Sequence, residues 1–206
     1  MAKILLTSNG FFTESIKQEF LQLIEGNTAD SSAAIITTAS PKKEQNRFAV
    51  KAGEDFLEMG IRHIEFIDIE FDDPSKLEVF DVIYLNGGNP FYLLHHLKRS
   101  GADKVLKKLA EENTVIIGVS AGAMVLGPDI RVADYFTPEM NGLQMKDLSG
   151  LEITKEIVFP HYGREDLFPD ASGALIEERL TTYEAKNNCT VLRIAEDQSQ
   201  VIQTAP

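Results

Sequence analysis

An α/β domain built on a mostly parallel sheet is the fold this sequence predicts, and three observations predict it. Short apolar runs rich in β-type residues alternate with helical patterns along most of the chain. Two glycine-rich turns, at Gly87-Gly88 and at Gly118–Gly122, each follow such a run directly, which is where open parallel sheets bind their ligands. The 206 residues suit one domain with a full-sized core, and no repeat, low-complexity segment or linker divides them. One doubly wound domain over residues 1–206 is the economical reading.

The elements follow in order. Met1–Leu6 opens the chain with an apolar run, so Lys3–Thr7 is the first strand. After Thr13, Ile16, Phe20, Leu23 and Ile24 fall on one helical stripe. Ala33–Thr37 is the second strand. Ser40-Pro41 is a cap followed by a first-turn proline, so a helix is expected from there, with Phe48, Ala52, Phe56 and Met59 as its buried face. His63–Ile67 and Val82–Leu85 are the third and fourth strands. Asn89-Pro90 repeats the cap-and-proline signal for a helix that Gly101 breaks, and Val105, Leu106 and Leu109 mark the next one. Val115–Val119 is a buried strand leading into Ser120. Further on, Ile157–Pro160 reads as a strand and Gly173–Leu180 as a helix. Val191–Ile194 and Val201–Gln203 read as a closing pair.

Composition narrows partners and location. Hydrophobic residues make up 43% and charged residues 25%, which excludes extensive disorder. No apolar run approaches the roughly 20 residues that span a bilayer, so no membrane is expected. A net charge of −12 argues against nucleic acid or an anionic membrane as the main partner. The single Cys189 has no partner for an internal disulfide, which makes a reducing cytoplasm the default.

The chemistry centres on Gly118-Val119-Ser120-Ala121-Gly122, a G-x-S-x-G sequence between a strand and a helix. Such a turn is strained and thrusts the serine Oγ out of the sheet, while the glycines let backbone approach closely. A plain Gly/Ala-rich junction capped by a serine is the alternative. A nucleophilic serine needs a base, and a third group to orient that base. Of the four histidines, His63 opens a strand and the adjacent His95 and His96 suit a helix surface. His161 emerges from the end of an apolar strand, in Pro160-His161-Tyr162-Gly163, and is the candidate base. Asp129, Asp134, Glu139, Asp147, Glu152 and Glu156 lie between serine and histidine, and spacing does not choose among them. The Ala121 N–H, next after the serine, and the Gly88 N–H in its open turn are candidate oxyanion donors. No cofactor is required, and no His/Cys/Asp cluster has metal-ligand spacing.

Leu85-Asn86-Gly87-Gly88-Asn89, then Gly118–Ala123, then Pro160-His161 resemble the peptidase E (aspartyl dipeptidase) family of serine peptidases, related to the cyanophycinases. The resemblance covers essentially the whole chain. It implies a flavodoxin-like sheet, akin to class I glutamine amidotransferases, with Ser120 as nucleophile, His161 as general base, and Gly88 and Ala121 at the oxyanion. It places the acid after the elbow helix, at Asp134 or else Glu139. The family's arginine for the substrate aspartate falls on Leu175 here, with Arg164 and Arg179 at other positions, so strict preference for N-terminal aspartate is not implied. The expectation is a cytoplasmic serine peptidase of small peptides, dipeptidase-like, working as a monomer or homodimer. An esterase or amidase with the same residues, and a catalytically silent binding protein, are the alternatives.

Overall fold

The computed structural model describes residues 2–203, so Met1 of the expected first run lies outside the described residues. Six strands form the main sheet in the order β3-β2-β4-β5-β1-β8. They are β1 (Lys3–Thr7), β2 (Ser32–Ile36), β3 (His63–Ile67), β4 (Val82–Leu85), β5 (Val115–Val119) and β8 (Ser199–Gln203). All neighbours are parallel except β8, which lies antiparallel on β1 with Leu5 opposite Val201. The central strands β1, β4 and β5 are buried along their whole length, as expected of parallel strands covered on both faces.

Alternation along the strands sends side chains to two cores. Ile4, Leu6, Ile36, Ile83, Leu85 and Ile116 face one side, against helices α3 (Pro90–Ser100), α4 (Ala102–Glu111) and α5 (Ala121–Leu126). Leu5, Ile35, Val82, Tyr84 and Ile117 face the other, against α1 (Glu14–Leu23) and α2 (Arg47–Glu58). Phe11, Phe20, Phe56 and Tyr84 meet there with ring centroids 5.1–5.8 Å apart, mostly tilted or edge-on. Among the described residues, no helix is long and apolar enough to cross a membrane.

Three expectations are corrected. The helix expected from Ser40-Pro41 starts at Arg47: Lys43 takes a positive φ of 48° and opens a short 3₁₀ turn, Lys43–Gln45, ahead of it. Asn46 is the cap, accepting from the Phe48 N–H at 2.9 Å. The buried stripe therefore runs Ala49, Ala52, Phe56, and Phe48 faces solvent. The helix expected from Gly173 is α7 (Ile176–Asn187), with Gly173 left in the preceding turn at φ 78°. Most consequentially, β7 (Val191–Arg193) does not pair with β8. It lies parallel to β6 (Ile157–Phe159), with Phe159 opposite Arg193, in a separate two-stranded sheet. The Asn89-Pro90 signal holds as read: Asn89 Oδ1 accepts from the Phe91 and Tyr92 N–H groups at 2.9 and 3.0 Å.

On α3, His96 is buried and packs against Tyr92, the two rings tilted with centroids 4.4 Å apart. Burial holds its pKa below the ordinary value of 6.5, with His95, Lys43 and Arg99 acting in the same sense and Glu70 opposing. The unfolded chain therefore binds this proton more readily than the folded one. Stability that is complete above pH 6.5 should decline as pH falls through the window below it. Urea midpoints measured from pH 8 to pH 5 check this, and a His96→Gln variant should show a shallower acid-side decline. A His96 titration midpoint at or above 6.5 by NMR would contradict it.

Candidate active site

The end of β5 delivers Ser120 into a conformation few non-glycine residues adopt, φ 51° and ψ −111°. Holding it there costs on the order of 1–3 kcal/mol, which the surroundings must offset. They do so by close packing. The Ser120 N–H donates to the Thr7 carbonyl at 2.9 Å, and the Ser120 carbonyl accepts from Met124 at 3.1 Å. A Cβ on Gly118 would lie 2.7 Å from Leu126 Cδ1 and 2.8 Å from Ala123 Cα, and one on Gly122 would strike the Leu85 carbonyl oxygen. Both flanking glycines are thus demanded by backbone that passes within contact of them.

His161 follows β6 at a second positive φ, 58°. Its Nε2 lies 2.9 Å from Ser120 Oγ and its Nδ1 lies 2.8 Å from Glu196 Oε1. Glu196 sits in the turn after β7, so the parallel pairing of β6 and β7 brings the two side chains together. The same Glu196 oxygen accepts from Arg164 Nη1 at 3.1 Å, and Arg164 forks onto Asp166 at 2.8 and 2.7 Å. The Asp166 hydrogen bonds raise the already high pKa of Arg164, so the cation beside Glu196 is permanent. The side chains of His161 and Glu196 are only 21% and 20% exposed, so water screens their contact weakly.

One hydroxyl fastens this arrangement to the sheet. Ser8, buried just beyond β1, accepts from the His161 N–H at 2.9 Å and donates to the Ile194 carbonyl at 2.8 Å. The Ile194 carbonyl also accepts from the Tyr162 N–H at 3.0 Å. Thr7 and Ser8 together therefore touch the limbs that carry Ser120, His161 and Glu196.

Asp134 is not part of this set. It lies on α6 (Arg131–Phe136) and its Oδ1 accepts from Asn141 Nδ2 at 3.2 Å. Asn141 in turn receives the Met145 N–H at 2.8 Å, so Asp134 braces the loop beyond α6. Glu139 is exposed in the Pro138–Met140 turn. The expected acid is corrected on geometry: the carboxylate at His161 Nδ1 is Glu196. Glu196 lies outside the stretch between serine and histidine that held the candidates, and the β6–β7 register sets it beside His161.

Gly88 and Ala121 stand with Ser120 and His161 around one cavity of about 220 Å³. Among the described residues, neither the Gly88 nor the Ala121 N–H has an acceptor within the protein. Gly88 has φ 146°, and a Cβ there would strike the Ala39 carbonyl, so only glycine fits the turn. The cavity's other walls are Pro90, Met124, Ala133, Phe136, Met140, Phe159, Leu167 and Phe168, with Thr137 and Pro160 between them. Asn89 Nδ2 donates to the Met140 carbonyl at 2.8 Å, which ties the loop after α6 to the Gly88 turn. Leu175 is exposed at the head of α7 and does not line the cavity.

The profile of Peptidase family S51 matches residues 4–204. The chain belongs to that family. An uncharacterized peptidase of Listeria monocytogenes is 32% identical over 160 residues, 75% of this chain and 78% of its own. A peptidase E of Streptomyces coelicolor is 30% identical over 128 residues, 62% of this chain and 51% of its own. The crystal structure of a putative peptidase E from Listeria monocytogenes superposes with a TM-score of 0.76 at 24% identity, covering 98% of this chain and 97% of that one, so the two share a fold. Family S51 membership makes the chain a peptidase.

Proposed function

We propose that this S51 chain hydrolyses small peptides by serine catalysis, in the manner of a dipeptidase, with Ser120, His161 and Glu196 as its catalytic residues. The observation that carries the reading is the relay of two contacts, 2.9 Å from Ser120 Oγ to His161 Nε2 and 2.8 Å from His161 Nδ1 to Glu196. With Nδ1–H donating to the Glu196 carboxylate, the Nε2 lone pair faces the Ser120 hydroxyl. Ser120 Oγ attacks the scissile carbonyl carbon while its proton passes to Nε2. The carbonyl oxygen becomes an oxyanion, held by the free Gly88 and Ala121 N–H groups. His161 then returns the proton to the departing amine, the C–N bond breaks, and an acyl-serine remains. Water, deprotonated by the same Nε2, attacks the ester and regenerates Ser120. Glu196 stabilises the imidazolium in both halves and fixes its tautomer.

Ser120→Ala should lower dipeptide turnover by roughly 10⁴-fold or more while leaving the thermal unfolding midpoint close to that of the wild type. A fluorophosphonate should label Ser120 in the wild type and nothing in the variant. Undiminished hydrolysis by the variant would remove Ser120 from the mechanism.

A further inference from the structure

The walls of the cavity beside Ser120 are apolar almost throughout, and this has a consequence for the substrate. No Lys, Arg, Asp or Glu is among its lining residues. Phe136, Phe159 and Phe168 form one aromatic cluster, with centroids 4.5–6.0 Å apart. Met124 and Met140 add flexible sulfur-bearing side chains that adapt to the shape of an occupant.

Arg164 and Arg179, the arginines on either side of Leu175, are already engaged. Arg179 lies behind the aromatic wall, its guanidinium 4.1 Å from the Phe136 centroid. Its Nη1 donates to the Phe168 carbonyl at 2.9 Å and its Nε lies 3.7 Å from Asp170. Arg164 is held by Asp166 and Glu196. Neither offers a charge to the cavity. A carboxylate or ammonium entering it would lose water without gaining a charged partner among the lining residues. An apolar side chain is favoured by the same burial. At about 220 Å³ the cavity is smaller than the roughly 300–1,000 Å³ of drug-sized sites, which fits one side chain and the backbone beside it.

We infer that this cavity receives an apolar side chain, of the leucine, methionine or phenylalanine kind, on the residue that supplies the scissile carbonyl. The assignment to that residue follows from the walls: the cavity includes Ser120 and both free amides, so a carbonyl seated on them places its own residue's side chain within. The inference rests on the hydrolytic reading above and names the substrate class for it.

The test is kcat/KM for dipeptides Xaa-Ala with Xaa = Leu, Met, Phe, Ala, Asp and Lys, alongside fluorophosphonate labelling of Ser120. Leu, Met and Phe should exceed Asp and Lys by about 100-fold, since each charged side chain is left unpaired. Ala133→Leu, which narrows the cavity, should lower the ratio of Phe-Ala to Ala-Ala turnover about tenfold. A preference for Asp or Lys, or a flat profile, with labelling intact, would overturn the specificity and leave the serine chemistry standing. An apolar preference seen only when the leaving residue is varied would assign the cavity to the other side of the bond and overturn the inference likewise. Absence of both labelling and cleavage would remove the hydrolytic reading and the specificity together.

Discussion

Exchange of Glu196 for glutamine should cut kcat by about 10⁴-fold, the size such a change has in a serine triad. The carboxylate now accepts from His161 Nδ1 at 2.8 Å. An amide in its place can donate to Nδ1 instead, which moves the imidazole proton to Nε2 and turns the base away from Ser120. It also removes the negative charge that balances the imidazolium in the transition state. KM should change little, because Glu196 is not among the residues lining the cavity. The fold should tolerate the change, since Glu196 sits in a turn and Arg164 keeps its fork onto Asp166. Asp134→Asn is the paired comparison. Among the described residues its carboxylate is hydrogen-bonded to the Asn141 side chain and not to His161, so kcat should stay within about tenfold of wild type. If Asp134→Asn were the more damaging of the two, Glu196 would not be the orienting acid.

Gly122→Ala should destabilise the protein by about 3 kcal/mol or more, at the upper end of overpacking costs. In a chain of this length that lowers the unfolding midpoint by on the order of 10 °C. The added methyl meets the Leu85 carbonyl oxygen, and Leu85 Cβ and C at 2.8 and 2.9 Å. Carbonyl and helix backbone have no alternative rotamer, so α5 must lift from β4. Leu85 directly precedes the Asn86-Gly87-Gly88 turn, so relief of the clash displaces the free Gly88 amide and the Ser120 elbow together. Activity should fall with stability even well below the midpoint. Gly142→Ala is the control, for nothing lies within 4 Å of a Cβ there, and its effect should be within about 0.5 kcal/mol. Calorimetry on the two variants separates the cases.

How much of this was legible in the sequence depended on whether the signal was local. The strand–serine–helix junction was, because three apolar β-branched residues, two glycines and a helix-forming run lie within a dozen positions. Asn89-Pro90 was, because cap and proline act on the residues next to them. Ser40-Pro41 carries the same local signal and misled, since Lys43 turns back to reach Asp68 and Glu70, a contact made across the sheet. The carboxylate beside His161 was illegible for the same reason. Nothing near Glu196 distinguishes it from the other carboxylates of an acidic chain. Its neighbour His161 is 35 positions away, and only the β6–β7 pairing joins them. The cavity's apolar character was likewise out of reach, being assembled from α3, α5, α6, β6 and the loop after His161.

The Ser8 hydroxyl joins parts of the site that lie far apart along the chain. Its two bonds join residues 153 and 186 positions apart along the chain, among the longest closures in the fold. Contacts of such separation form late, once nearer elements have gathered. A nascent chain on the ribosome can shape the Ser120 elbow from β1, β4 and β5 while Ile194 and Glu196 are still unmade. During that interval its histidine has no oriented base to offer. On the proposed mechanism, the site is complete only once the backbone carrying Ile194 and Glu196 is in place.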